Sequence, residues 1–520
     1  MLISNHKRED VEETLSTTFF PFDKHTDFPT LLRMLRRDEQ PEQWKSVING
    51  IAFLYPLVFP NDSSRYNGIE HDLKWAIEEE KIQELKVYLE HLLLMVMAEA
   101  KYNGVGRIKV RWSYPSSLPR NLVVNRRNFW NYYTQPNAPF HIDSIEEEAE
   151  SLAITKYFKE IRNANPNAES PTIFIDIGGG STDIAIWGDG EVKCQTSLQI
   201  AGNHILGRYM RVRRDLLKEL SRIIIEDNTE RNAFLNLRDS LGLSDTVLFN
   251  ALLSFKKPQE EQDNHREAQE EQDNHKKLIS YISKGLWGNS NRPFLDLRKL
   301  MLTFIGGIIY FCGLLVKKYF NQENTRVVDL YMTGKASKMI DWISTEREVL
   351  TNNILPMFLK SALDREDLDS RIEIADNPKE AVAYGLTVQE IQVRNNAPVQ
   401  ISPPTYILGE DNCRIGNELK DFKYEIGENE FRKIQIPKNK EDLTQFNKFL
   451  ETLERAYREI FSTQGLIPTS DRFSIDFINQ MRSIQNEIAI GGEDVRQPIF
   501  VVELRALINI LNDEYLRRNH

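Results

Sequence analysis

The chain has 520 residues, of which 41% are hydrophobic and 28% charged, with a formal net charge of −11. That composition is globular, with room for about two to four domains, and an acidic balance with no basic block excludes nucleic acid as the main partner. Cys194, Cys312 and Cys413 are too scattered for a disulfide framework or a metal site, and Met1 to Asp10 is polar and charged, unlike a signal peptide, so a reducing cytoplasm is expected.

In chain order, residues 82–100 predict an amphipathic helix with Leu85, Leu89, Leu92, Leu93 and Val96 on one stripe. Residues 107–115 alternate as a strand stopped by Pro115. Residues 172–186 are the most informative. Ile173, Phe174, Ile175 and Ile177 surround Asp176; Gly178, Gly179 and Gly180 follow, then Ser181, Thr182, Asp183 and a second apolar run, Ile184-Ala185-Ile186. That pattern is strand, glycine turn, strand. Glycines at the tip let backbone N–H groups approach an anion closely, which suits a phosphate. Asp176, just before the turn, is a candidate to hold a hydrated Mg²⁺ beside it. Three glycines alone fit an ordinary Gly-rich hairpin equally well.

Residues 208–298 carry helical patterns such as Leu216, Leu217, Leu220, Ile223 and Ile224. They also carry a duplication: Glu260 to His265 recurs as Glu270 to His275, at a ten-residue spacing. Its polarity predicts a solvated helical face or a slipped repeat; two histidines near acids are the weaker, metal-binding alternative. Residues 300–316 form an apolar run at the short limit for a membrane span. Gly306, Gly307 and Gly313 favour close packing, and Thr303, Tyr310 and Cys312 soften the run, so a buried core helix is expected. Residues 327–334 read as a buried strand ending in a turn, and Lys335-Ala336-Ser337-Lys338-Met339 opens a helix. Beyond 396 come Pro398, Pro403 and Pro404, a strand-like Thr405-Tyr406-Ile407-Leu408, and helical patterns near 441–462 and 499–517.

The hairpin resembles the second phosphate-binding loop of the actin, sugar-kinase and DnaK-type chaperone ATPase superfamily. Ala201-Gly202-Asn203 resembles the small segment leading into that family's second lobe. The 327–334 strand, its turn and the following helix start resemble the adenosine loop, and Asn377-Pro378-Lys379-Glu380-Ala381-Val382-Ala383-Tyr384-Gly385 is similar to the closing helix. The resemblance implies an α/β, two-lobed, actin-like ATPase (ribonuclease H-like) fold, with a first lobe at 1–170, a second lobe at 171–395 and a mainly helical accessory region at 396–520. It further implies an interlobe helix at 145–158, capped by Asp143 or Ser144, whose first turn (Glu146, Glu147, Glu148) supplies a carboxylate that positions water; Glu147 fits the register, and the alternative is that all three glutamates serve only the helix dipole. The family's opening hairpin, Asp-x-Gly-Thr, has no counterpart in residues 1–60. Asp27-Phe28-Pro29-Thr30-Leu31-Leu32 resembles the segment after it, so the chain is expected to be N-terminally incomplete and to bind ATP weakly. Lys335 departs from the family, where a second glycine is usual, and Lys74 is read as an exposed structural lysine.

The function expected is an ATP-dependent, Mg²⁺-requiring switch acting on a protein partner through the C-terminal region, cytoplasmic, bacterial and chaperone-like, with slow ATP hydrolysis or nucleotide-dependent closure. Asp176 would organise the metal and Glu147 would orient water. Gly178, Gly179 and Gly180 would hold the phosphates, with Ser181 and Thr182 as hydroxyl donors; Gly202, Thr333, Gly334, Lys335 and Ser337 would complete the nucleotide site. A filament-forming bacterial actin homologue, a small-molecule kinase and a non-catalytic scaffold are the alternatives. A kinase would need a general-base aspartate in the first lobe, and none stands out.

Overall fold

The computed structural model describes residues 79–135, 142–235, 292–388, 404–462, 471–490 and 496–517, with short gaps in the first three, and the strands at 31–34, 47–48, 51–54 and 69–70. The 260–275 duplication, Lys74 and residues 377–380 of the expected closing helix lie outside the described residues.

The chain divides into two compact units: Met1–Val110 with Val124–Glu146 and Arg213–Tyr281, and Arg111–Val123 with Glu147–Val212 and Ile282–His520. This division interleaves segments that a cut at residue 170 would keep apart. The first unit holds strands β1 (Leu31–Met34), β2 (Val47–Ile48), β3 (Ile51–Leu54) and β4 (Ile69–Glu70) in an antiparallel sheet ordered β2-β3-β1-β4. Helix α1 (Glu79–Tyr102) follows and contains the whole of the helix expected at 82–100. Strand β5 (Lys109–Tyr114) ends before Pro115, as the alternation predicts, and α2 (Arg120–Tyr132) comes next.

The expected helix at 145–158 takes a different form. Ser144–Ala149 is a strand, β6, and the helix begins only at Glu150: α3 spans Glu150–Lys156 and continues as a π-helical turn over Tyr157–Ile161. The N-cap is Ala149, not Asp143 or Ser144. An ion pair accompanies the shift. Glu148 pairs with Lys156, both side chains being nearly buried. Eight residues of continuous helix would separate them by about 12 Å, so the pair forms only if the chain turns extended before Glu150.

The second unit is built on one five-stranded sheet. Strands β7 (Thr172–Ile177), β8 (Thr182–Gly188) and β9 (Glu191–Leu198) form an antiparallel meander. Helices α4 (Gly202–Val212), α5 (Arg214–Ile224, in the first unit) and α6 (Arg292–Tyr319) precede β10 (Val327–Thr333), which lies parallel to β7. After α7 (Ile340–Ile343) and α8 (Leu355–Leu363), β11 (Asp369–Ile374) adds parallel to β10, giving the order β11-β10-β7-β8-β9. Every residue of β7 and β8 is buried, which is why both strands read as nearly continuous apolar runs. Leu152, Ile154 and Phe158 pack on one face against Phe174, Ala185 and Trp187.

Helix α6 contains the apolar 300–316 run. It is long and apolar enough to cross a membrane, with mean hydropathy 2.0 in its best window, yet all of that window is buried inside the protein. Its glycines mark helix crossings: a Cβ on Gly306 would fall 2.6 Å from the Phe358 ring, and one on Gly313 would fall 2.6 Å from Ala362 Cβ.

Helix α9 (Ala381–Thr387) crosses α3 so closely that a Cβ on Gly385 would lie 1.8 Å from the Ala153 carbonyl oxygen. Gly385→Ala must therefore push the two helices apart. Because α9 is short and half-exposed it can yield, and we expect a stability loss of about 3 kcal/mol, at the upper end for overpacking. An unchanged urea midpoint would show that the crossing is looser than drawn.

The 396–520 segment, expected as an accessory region, shares the second unit's core. After β12 (Cys413–Ile415), β13 (Glu418–Lys420) and β14 (Ile434–Gln435), helices α10 (Thr444–Phe461), α11 (Asp471–Ile490) and α12 (Ile499–Arg517) complete the chain. Phe449 and Phe500 contact Tyr310 of α6, and Tyr457 OH bonds Thr303 at 2.5 Å. The segment also lies along β9. Thr405 N–H donates to Gln195 O at 2.8 Å; buried Gln497 donates from Nε2 to Ser197 O at 3.3 Å and accepts Gln199 N–H at Oε1 at 2.9 Å. All three cysteines are free and buried.

Candidate functional site

Asp176 stands at the centre of the sheet. It faces Asp183 across the β7–β8 ladder and pairs with Thr333 of parallel β10, and it is only 9% exposed. Past it the chain turns through Gly178, Gly179 and Gly180, and Gly178 N–H closes the turn on Ser181 O at 3.0 Å. Gly179 is exposed, with Gly178 and Gly180 half-buried, so the tip presents backbone. The N–H groups of Gly179 and Gly180 donate to no backbone acceptor among the described residues.

Two further elements meet this turn. The start of α4 is tied to it: Gly202 N–H donates to Gly178 O at 3.1 Å, and Asn203 N–H to Gly179 O at 2.9 Å. The turn after β10 closes on the same place. Gly334 has φ +84°, and a Cβ there would sit 2.2 Å from Asp176 Oδ1 and 2.3 Å from Ile177 O. Gly202 in turn lies against Ala336, where a Cβ–Cβ distance of 2.8 Å would result from a side chain. Glycine is required at 334 by both φ and space. The hairpin tip, Gly202, Gly334 and Thr333 are thus brought together around Asp176.

Both predicted hydroxyl donors, and the hydroxyl of Ser337, are engaged internally. Ser181 Oγ donates to Asp183 Oδ2 at 3.1 Å, Thr182 Oγ1 to Ile200 O at 2.6 Å, and Ser337 Oγ to Gly334 O at 2.8 Å. All three residues are buried, Thr182 and Ser337 completely. Their work here is to brace the two turns, and any anion would meet backbone N–H groups instead. Lys335 is partly exposed on the short 3₁₀ turn Lys335–Met339. Glu147 lies half-buried on β6, three residues before α3, not in a first helical turn.

Two residues at the site escaped the sequence reading. The Asn203 side chain stands over the turn, its Nδ2 3.3 Å from where a Gly179 Cβ would be. His204 accepts the Ala201 N–H at Nδ1, 3.2 Å. Burial, reinforced by Arg505, lowers its pKa to about 3 and keeps the imidazole neutral. The signal available for both was position alone, at the start of a helix after a small-residue pair.

Among the described residues no group of three or more His, Cys, Asp or Glu side chains is arranged to hold a metal ion. A single carboxylate suffices for a largely hydrated Mg²⁺, so Asp176 fits that narrower role. The glycine tip, whose Gly179 and Gly180 N–H groups donate to no backbone acceptor among the described residues, fits a phosphate.

The sheet of the second unit is a meander of three antiparallel strands extended by two parallel ones, with helices after β9 and β10. The fold is actin-like. Solved structures similar in fold are MreB5 of Spiroplasma citri bound to ADP (15% identity, covering 70% of this chain and 88% of that one, TM-score 0.29), and Ta0583, an archaeal actin homologue (12%, 69% and 90%, TM-score 0.30). Another is the ethanolamine utilization protein EutJ from Carboxydothermus hydrogenoformans (11%, 59% and 72%, TM-score 0.29). At these identities and scores the likeness concerns fold alone. No protein-family model matches the chain. No curated protein matches it either.

Proposed function

We propose that the second unit binds the phosphates of a nucleotide, ATP or ADP, at the hairpin tip. The observation that carries this reading is the convergence on Asp176 of a side-chain-free turn and two glycines, Gly202 and Gly334, each at a position where a Cβ would collide with its neighbours. Backbone N–H groups of Gly179 and Gly180 would cradle the anion. Asp176 would hold a hydrated Mg²⁺, which supplies charge neutralisation next to the phosphates. Glu147 is retained as the candidate to orient water, from β6, and partner switching would follow from nucleotide-dependent closure.

A second reading, binding without turnover, has its own support. With Ser181 and Thr182 hydroxyls held by Asp183 and Ile200, the hairpin offers an anion only backbone donors.

Asp176→Asn keeps the side chain's shape and removes its charge. In thermal melts with and without millimolar MgATP, the natural protein should be stabilised by ligand, by about 2.7 kcal/mol at 100 times Kd. The variant should melt within about 4 °C of the natural protein when ligand-free, as for a change of about 1 kcal/mol, and lose most of the Mg²⁺-dependent gain. A variant that melts much lower and keeps the ligand shift would make Asp176 a structural residue, and a natural protein with no shift at all would end the nucleotide reading.

A further inference from the structure

Glu410 and Glu503 are both fully buried, and neither is used by the site above. Glu410 sits at the end of the segment that lies along β9. Its carboxylate accepts three backbone N–H groups: Asp411 at 2.8 Å, Gln445 at 2.9 Å and Phe446 at 2.8 Å. The last two are orphan donors of the first turn of α10, so Glu410 caps that helix from 35 residues upstream. Two residues earlier, the Leu408 carbonyl accepts Ile499 N–H at 2.7 Å and Phe500 N–H at 3.3 Å, capping the start of α12. Glu503 projects from the next turn of α12. Neither of its oxygens meets a donor in hydrogen-bond geometry among the described residues, and its polar neighbour is the Glu410 carboxyl.

Two carboxylates cannot both be ionised in such a place. Glu410, with three N–H donors, is the natural carboxylate, and Glu503 the natural acid. The groups that act on the pair add no compensating positive charge. Asp411 adds negative charge, and Tyr310 of α6 and Cys413 of β12 are held neutral by burial and by these same carboxylates. Glu487 of α11 is engaged with Arg505, and His204 of α4 is neutral.

We propose that Glu410 and Glu503 share one proton as a clasp, fastening residues 404–411 to the start of α12, and that losing this proton as pH rises frees that strap from β9. The strap reaches β9 through Thr405 and the chain entering α12 reaches it through Gln497, so both attachments depend on the clasped turn. Burial raises Glu503 well above its ordinary value, and raises Glu410 from 4.5 to about 7 in spite of its three donors. A carboxyl whose folded pKa is raised contributes stability that is complete below its unfolded pKa. That stability is lost as pH rises from there through the folded value.

Hydrogen exchange of the full chain, corrected for intrinsic rates, tests this in peptides covering 193–200, 405–411 and 497–503. One shared proton predicts an opening constant rising about tenfold per pH unit from about pH 5 until the pair gives the proton up. Glu503→Gln supplies a neutral donor to Glu410 and should remove the slope while keeping protection high at about pH 8. A flat profile in the natural protein, or an undiminished slope in Glu503→Gln, would overturn the clasp. If that variant does not fold, the natural protein's infrared spectrum decides. A protonated-carboxyl band persisting at about pH 6 supports the proposal, and its absence there refutes it.

Discussion

Ile305→Asp should unfold the second unit. Ile305 is completely buried in the middle of α6, between the sheet and the C-terminal helices. A carboxylate there meets neither water nor a cation, and even the neutral acid would lack a partner. The penalty, at least about 4 kcal/mol, is a large share of the 5–15 kcal/mol that separates native from unfolded chains. The expected result is loss of the cooperative thermal transition, with protein recovered mainly as aggregate. A variant that melted within a few degrees of the natural protein would mean that α6 is not where the sheet needs it.

Gly334→Ala should come next in size, because two independent penalties coincide. The backbone at φ +84°, ψ 148° lies in a region essentially reserved for glycine, at about 1–3 kcal/mol for other residues. The added methyl would also collide with Asp176 Oδ1 and Ile177 O, worth about another 1–3 kcal/mol. The turn cannot slide away as α9 can, since Ser337 N–H and Oγ both hold the Gly334 carbonyl. We expect a urea midpoint lower by the equivalent of about 4 kcal/mol, together with loss of any nucleotide-induced stabilisation. Normal stability with lost binding would assign Gly334 to the ligand alone, and normal stability with normal binding would remove it from the site.

What could be read from the sequence was what is encoded locally. The β7–β8 hairpin, α6 and the β10 turn each carry their pattern within about twenty residues: alternation, a glycine run, or an unbroken apolar stretch. The start of α3 was misplaced because Ser144–Ala149 is a strand, from which Glu148 pairs with Lys156 at the far end of the helix. Ser181, Thr182 and Ser337 resemble ligand donors in sequence, yet their acceptors are Asp183, Ile200 and Gly334, and hydroxyl direction is not written in residue order. The integration of the C-terminal segment was invisible for a plainer reason. Gln497 and the β9 end it meets are 298 residues apart, and Glu410 reads as an ordinary surface acid until α10 is folded over it.

The hydrogen bonds along β9 have one more consequence. Gln195 O, Ser197 O and Gln199 N–H alternate along the strand, as the outward-facing groups of a sheet edge do. Left bare, such a row is a template for any passing extended chain, including another copy of this protein. Here a backbone amide from Thr405 and a side-chain amide from Gln497 occupy it, so the meander cannot recruit a sixth strand on that side. Gln497 is suited to the task because its carboxamide carries the same donor and acceptor as a peptide unit but offers no onward edge of its own. The C-terminal segment thereby occupies the edge groups that strand-to-strand association on that side would need.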